Sequence, residues 1–379
     1  MHPLVSGPEA KRYIEPDTET YILFPYQRTG EAVRLIGAAQ MDQAHPQAWA
    51  YLQSHEVDLR AREDNSFDDD QWYRFGRTQS LDKQDVVKLI VPRLVANLKT
   101  VVDSEGVYYL DNVDVGGICP AEGINPYYLS AVLNSPIARF VFRRISKPFR
   151  GDYLSANRQF IAPLPIPRAG EAARNEIGAL ARELQRQHTA RRDTLRDLLH
   201  RLDASPSQNR RIDFIFPTLR TARERRNDAP RNVDIRAWTA EAYKQELVER
   251  YDAIGSALHA EVALEAHFER GELRLLADGA RVIDGIFLAD NDGPFISAQW
   301  NARLDSFTPP AKSPAKALVT ALRRLIVTDN QALRNQVVAL EQQQRGQKQD
   351  IADREAAINE RLYALYGLTE AERRMVEQG

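Results

Sequence analysis

The sequence is poor in the features that announce chemistry. Among its 379 residues there is one cysteine, Cys119. A single thiol excludes an internal disulfide framework and a cysteine-based zinc site, which fits a reducing cytosol. No stretch approaches the ~18 uninterrupted apolar residues of a membrane-spanning helix. The opening MHPLVSGPEAKRY lacks an apolar core before a cleavage site, so a cytoplasmic protein with no membrane association is expected. Charge of one sign is also missing: 51 Lys+Arg oppose 53 Asp+Glu, a formal net charge of −2. That balance excludes a uniformly basic nucleic-acid binder and an acidic disordered chain. No repeat of solenoid period and no low-complexity tract are visible. The seven histidines are dispersed, and neither a hydrolase triad nor a glycine-rich phosphate loop stands out. What is present is ordinary globular material, 43% hydrophobic and 27% charged. At roughly 100–200 residues per domain it forms two or three domains.

The pattern predicts an α+β chain. Tyr21–Phe24, stopped by Pro25, reads as a strand. Gly30–Ile36 suits a strand or the start of a helix. Around Pro46–Leu52 the spacing is helical, with Trp49, Leu52 and Leu59 on one face. Val86–Val91 and Val107–Leu110 read as strands separated by turn chemistry at Asp103–Gly106. Asn125 and Pro126 are an N-cap and first-turn proline for a helix that stops near Asn134–Ser135, ahead of Pro136. A second helix follows, and the proline-punctuated Ala162–Pro167 closes a first domain at 1–168. Residues 169–207 read as a helical spacer, with one long helix over 170–203 that Ser205-Pro206-Ser207 ends. Residues 208–314 read as an α/β insertion. Within it Ile212–Phe216 is a possible strand, Ala240–Phe268 is helical, and two strands are joined through Asp278-Gly279. Residues 315–379 read as helical, with Leu340, Gln344, Gln347, Ile351, Ile358, Leu362 and Leu365 forming the seam of a helical hairpin or short coiled coil. Gly367 supplies the stop.

Few motifs carry chemistry. Asn125-Pro126-Tyr127-Tyr128 resembles the Asn/Asp-Pro-Pro-Tyr/Phe motif of amino-group methyltransferases, but Tyr127 replaces the second proline. No strand–glycine–helix unit for S-adenosylmethionine lies upstream. An N-cap with its first-turn proline explains the same residues. Asp68–Asp70 with Glu63 and Asp64 reads as a solvated loop rather than a calcium loop. Asp284, Asp290 and Asp292 lack the lysine of a nuclease site. Cys119 has no activating neighbour. No catalytic, cofactor-binding or metal-ligating residue is expected in this chain.

The basic segments say more. RFVFRRISKPFRGDYLSANR holds Arg139, Arg143, Arg144, Lys147, Arg150 and Arg158 against the single acid Asp152, with Phe149 and Tyr153 interleaved. Arginine forks suit phosphates and guanine edges, and aromatic rings pack on sugar or base. Residues 186–231 add 12 arginines against six acids. Here pairing with nearby Asp193, Asp197 and Asp203 competes with a second nucleic-acid contact.

A family resemblance rests on a series of motifs in order: Trp72-Tyr-Arg-Phe-Gly-Arg77-Thr-Gln-Ser-Leu81, Val87-Lys88-Leu-Ile with Gly106-Val-Tyr-Tyr-Leu, Tyr127-Tyr-Leu-Ser-Ala-Val-Leu-Asn-Ser135, Ser146-Lys-Pro-Phe-Arg-Gly-Asp-Tyr153, and Leu164-Pro-Ile-Pro167. The series resembles the TaqI-like C-terminal specificity domain, the target-recognition domain of adenine-specific DNA methyltransferases and type IIG restriction–modification enzymes. Ile358–Glu370 resembles the tail of those proteins, and Pro3–Tyr13 the start of the recognition domain. The resemblance covers residues 1–203 and 330–379 well and 208–325 poorly, so nothing is carried over to the latter. It implies a duplex-DNA specificity module without its catalytic part, from a split gene or a shortened frame; the alternatives are a divergent or truncated adenine-specific methyltransferase or endonuclease, working through Asn125-Pro126 or the Asp284 region, and a protein-interaction scaffold suggested by the helical tail. S-adenosylmethionine would then belong to a methyltransferase or restriction subunit acting as partner. On this reading Arg143, Arg144, Lys147 and Arg150 hold phosphates, with Arg139, Tyr153 and Arg158 beside them. Arg74 and Arg77 line the same cleft, and Trp72 joins them or sits in the core.

Overall fold

The structure, a computed structural model, describes residues 1–30, 32–149, 153–204, 216, 219–259 and 262–378. It is mixed α+β, with small sheets and long helices towards the C-terminus. Contacts gather the chain into two units, residues 1–190 with 350–379, and residues 191–349. Among the described residues no helix is long and apolar enough to cross a membrane.

The first unit begins with β1 (His2–Val5), β2 (Tyr21–Ile22) and the hairpin of β3 (Tyr26–Thr29) and β4 (Ala32–Leu35). The segment left open between strand and helix is therefore a strand. Val33 and Leu35 are half-buried while Ala32 and Arg34 face solvent, the period of two that a paired strand imposes. Helices α1 (Ala38–Ala44), α2 (Pro46–Ser54), α3 (Glu56–Arg60) and α4 (Arg62–Asn65) follow, with a break at His55 between Leu52 and Leu59. Met41, Trp49 and Leu52 pack there with Trp72 and Tyr73.

The central sheet is antiparallel. β5 (Lys88–Pro92) is followed by the short β6 (Leu94–Val95), and lies between β7 (Val101–Asp103) and a later strand. β8 (Tyr109–Leu110) then pairs in parallel with β1, and β9 (Val115–Ile118) closes the other side of β5. The two strands expected on either side of Asp103–Gly106 thus do not pair with each other. Asp103 explains the redirection. Its carboxylate accepts from the backbone N–H groups of Gly106, Val107 and Tyr108, and pairs at 2.7 Å with Lys88, whose side chain is buried. The outer edge of β7 is completed by side-chain amides. Asn134 bonds both backbone groups of Thr100, and Gln185 bonds both of Val102. Buried backbone groups seldom stay unpaired, and here an amide stands in for a missing strand.

Against this sheet lie α5 (Pro126–Leu133) and α6 (Pro136–Ile145), which bury Leu133 and Phe142 among Leu89, Val91 and Val102. β10 (Leu154–Ser155), α7 (Arg158–Ile161) and the long α8 (Glu171–Ala204) follow. The proposed stop at Ser205–Ser207 lies outside the described residues. So do residues 212–215 of the possible strand, and Phe216 belongs to no element.

The second unit contains α9 (Ala222–Asn227) and α10 (Ile235–Ser256), then a three-stranded antiparallel meander. Its strands are β11 (Leu264–Glu269), β12 (Glu272–Ala277) and β13 (Ala280–Phe287). The helix expected over Ala240–Phe268 is corrected here, because α10 ends at Ser256 and Leu264–Glu269 pair residue by residue with β12. The two-residue turns Arg270-Gly271 and Asp278-Gly279 hold positive φ at both positions, the geometry that suits the twist of a hairpin. α11 (Gly293–Asp305) and α12 (Pro314–Leu322) cover the meander, with Trp300 fully buried and its indole N–H donating to the Leu322 carbonyl.

The C-terminal region is not helical throughout, since residues 323–330 separate α12 from α13 (Gln331–Tyr366). Gly367, at φ +66°, stops α13 before α14 (Glu370–Gln378). Of the expected seam, Ile351, Ile358 and Leu362 are buried in the first unit against Ile177, Ala181 and Leu184 of α8. Gln344, in the second unit, is buried and donates to the Arg191 carbonyl. The side-chain oxygens of Gln344 and Gln347 have no hydrogen-bond partner among the described residues.

Candidate nucleic-acid interface

The site grows from the end of α6. Ser135 caps the helix by accepting from the Ala138 N–H at 3.2 Å, and Pro136 occupies its first turn. Ile137, Ala138 and Phe142 face the interior, which leaves Arg143 and Arg144 exposed in the last turn, beside the negative end of the helix dipole. Ser146 ends the helix and starts a ladder. Its hydroxyl donates to the Ser155 carbonyl at 2.7 Å, the Ser155 N–H to the Lys147 carbonyl at 3.1 Å, and the Phe149 N–H to the Tyr153 carbonyl at 2.9 Å. β10 in turn pairs with β6, Leu154 opposite Val95 and Ser155 opposite Leu94. The basic residues therefore sit on a backbone fixed from both sides.

The exposed side chains on this frame are of two kinds. Phe149 is 68% exposed and Tyr153 51%, with Leu94 and Ile145 also exposed beside them in the ladder and helix. Exposed rings of this size on a rigid frame suit stacking or packing on a planar partner. The cations are Arg143, Arg144, Lys147 and Arg158, all exposed, and none has a carboxylate partner among the described residues. Arg143 donates to the Asn97 side chain at 3.5 Å. The Arg144 guanidinium lies 3.3 Å over the Phe140 ring and donates to the Phe140 carbonyl. Arg139 is half-buried and donates to the Glu377 carbonyl on α14, so it holds the C-terminal helix in place. Arg150 lies outside the described residues.

Arg74 and Arg77 stand apart from this group. Arg74 pairs with Asp69 at 2.5 Å, donates to the Ser66 carbonyl and stacks on Phe67. Its charge is thus spent within its own loop. Arg77 is exposed, and among the described residues no hydrogen bond, ion pair or ring contact joins either arginine to the Arg139–Arg158 segment. Trp72 is 4% exposed, packed with Trp49 and Tyr73, so it belongs to the core.

Sequence reasoning did not reach Leu94 and Asn97, which β6 and its following turn bring to the basic segment. It also did not reach a half-buried cluster in which Glu355 accepts from Arg12 at 2.7 Å and lies 3.1 Å from His188. Burial pushes the Glu355 carboxyl up, but the His188 bond and the Arg12 guanidinium outweigh it and hold the pKa down at about 2. No spacing rule finds residues that far apart in the chain.

The methyltransferase-like tetrapeptide resolves into a helix start. The Asn125 side-chain oxygen accepts from the N–H groups of Tyr127 and Tyr128 at 2.9 and 3.2 Å. The Asn125 amide is also pressed against Gly178 of α8, where a Cβ would come within 2.5 Å of it. The side chain is therefore occupied by capping and packing rather than offered to a base.

No protein-family model matches the chain. Over 168 residues it is 26% identical to the type II restriction enzyme and methyltransferase RM.Eco57I of Escherichia coli. The match covers 41% of this chain and 16% of that protein.

Proposed function

We propose that the chain is the duplex-DNA recognition part of a restriction–modification system and works with a methyltransferase or restriction subunit that supplies the chemistry. The observation that carries this reading is the unpaired basic and aromatic surface of α6 and its ladder. Among the described residues Arg143, Arg144, Lys147 and Arg158 have no acidic partner, while Phe149 and Tyr153 are presented outward. Similarity to a restriction enzyme and methyltransferase supports the system. In this role phosphate contacts from the four cations set register, and the neighbouring loops read base edges. S-adenosylmethionine binds the partner.

The test is a mobility-shift series on duplex DNA across salt, with and without a methyltransferase subunit as partner. Binding that weakens steeply with salt is expected. Salt-insensitive or absent binding in both arms defeats the proposal.

A further inference from the structure

We infer that the second unit holds a separate binding site for a phosphoryl-bearing ligand. The site is a cavity of about 600 Å³ lined by α8, α11, α12 and the loop between the last two. Its size falls within the range that takes a small ligand or a stretch of backbone. Four cations line it, Arg303, Lys312, Lys316 and Arg324, against one carboxylate, Asp203. Lys316 and Thr320 stand one turn apart on the same face of α12, and Arg324, just past the end of that helix, completes the wall. Ala317 and Ala321 keep that wall shallow enough to leave the volume open.

The charges are not used up internally. Arg303 is only 11% exposed and gives one guanidinium N–H to Asp203 at 3.2 Å, yet its Nε has no acceptor among the described residues. Lys312, Lys316 and Arg324 are exposed and have no carboxylate partner among those residues. A buried donor without an acceptor and three unpaired cations around one concavity repel one another, and a multivalent anion relieves both costs. Guanidinium forks and ammonium groups together match the several oxygens of a phosphoryl group. Among the described residues the lining contains no histidine, cysteine or second carboxylate, so it suits an anion rather than a metal ion. Taken as a DNA-backbone contact, the site rests on the DNA-recognition reading above; taken as a site for a free phosphate compound, it does not.

The experiment uses the full chain, titrated with inorganic triphosphate in a calorimeter and with a labelled duplex by fluorescence anisotropy. Wild type is compared with Lys316→Glu/Arg324→Glu, with the milder Lys316→Gln/Arg324→Gln as a check that the fold is kept, and with Lys147→Glu in the first unit. The double charge reversal is expected to lower affinity by about tenfold or more and to reduce the salt slope by about two units if two phosphates are lost. Loss on the duplex identifies a nucleic-acid backbone, and loss on triphosphate alone identifies a free phosphate compound. If Lys147→Glu abolishes duplex binding while both double variants match wild type in both titrations, the cavity inference falls and the DNA-recognition reading stands. If wild type ignores the duplex but binds triphosphate through Lys316 and Arg324, the cavity stands and that reading falls. Wild type that binds neither ligand overturns both.

Discussion

The two arginine-rich segments of this chain use their charge in opposite ways. Across 186–231 the arginines whose partners the structure shows are held by acids. Arg186 pairs with Glu183, Arg191 with Asp305, Arg192 and Arg196 with Asp193, Arg220 with Asp228 and Glu246, and Arg225 with Glu246. Across 139–158 the exposed cations have no acid to meet among the described residues. Two similar local excesses thus end in different states, since a charge satisfied inside the fold has little left to offer a phosphate. Composition counts charges, whereas recognition depends on those left unpaired.

That contrast can be broken in four ways. The largest effect is expected at Arg225, whose side chain is 6% exposed beside Glu246. Arg225→Ala removes a buried guanidinium that packs on Tyr243 and leaves Glu246 to Arg220 alone, and should destabilise the protein by about 3 kcal/mol in urea denaturation, with DNA affinity per folded molecule unchanged. Next is acid. Glu355 is depressed to about 2 when folded. Its contribution of about 3 kcal/mol is therefore complete above the unfolded carboxylate value near 4.5 and lost as pH falls towards 2. Denaturation at stepped pH should show Glu355→Gln with a flatter acid limb, and an unchanged limb would refute the role of this cluster. Third, Arg143→Glu/Arg144→Glu/Lys147→Glu should cost about a hundredfold in duplex affinity and flatten the salt slope by roughly one unit per lost contact, while melting stays near wild type. Smallest is Arg186→Ala, an exposed pair, expected to change stability by no more than about 0.5 kcal/mol and to leave DNA binding unmoved. A clear loss of duplex binding from that substitution would erase the distinction between the two segments.

Local signals were legible wherever the physics is local. The Asn125 cap and Pro126, the Ser135–Pro136 boundary, the Asp278-Gly279 turn and the Gly367 stop are each fixed by a few adjacent residues, and the structure shows all of them. The basic and aromatic character of 139–158 was readable for the same reason. The helix misread over Leu264–Glu269 failed because a short apolar run fits either period until a partner strand is known. The pairing of β8 with β1 rather than with its neighbour was likewise invisible, since Asp103 and Lys88 redirect the chain through a buried contact.

The sequence by itself determined the α+β character, the caps and turns, and where unlike charges are scarce, because propensity and composition act over a few residues. Only the tertiary structure decided that Trp72 is core, that Arg74 is spent on Asp69, and that Ile351, Ile358 and Leu362 pack on α8. It also decided that Arg303, Lys316 and Arg324 share one cavity. These are contacts between residues distant in the chain, and which charges remain unpaired is settled only when those contacts form.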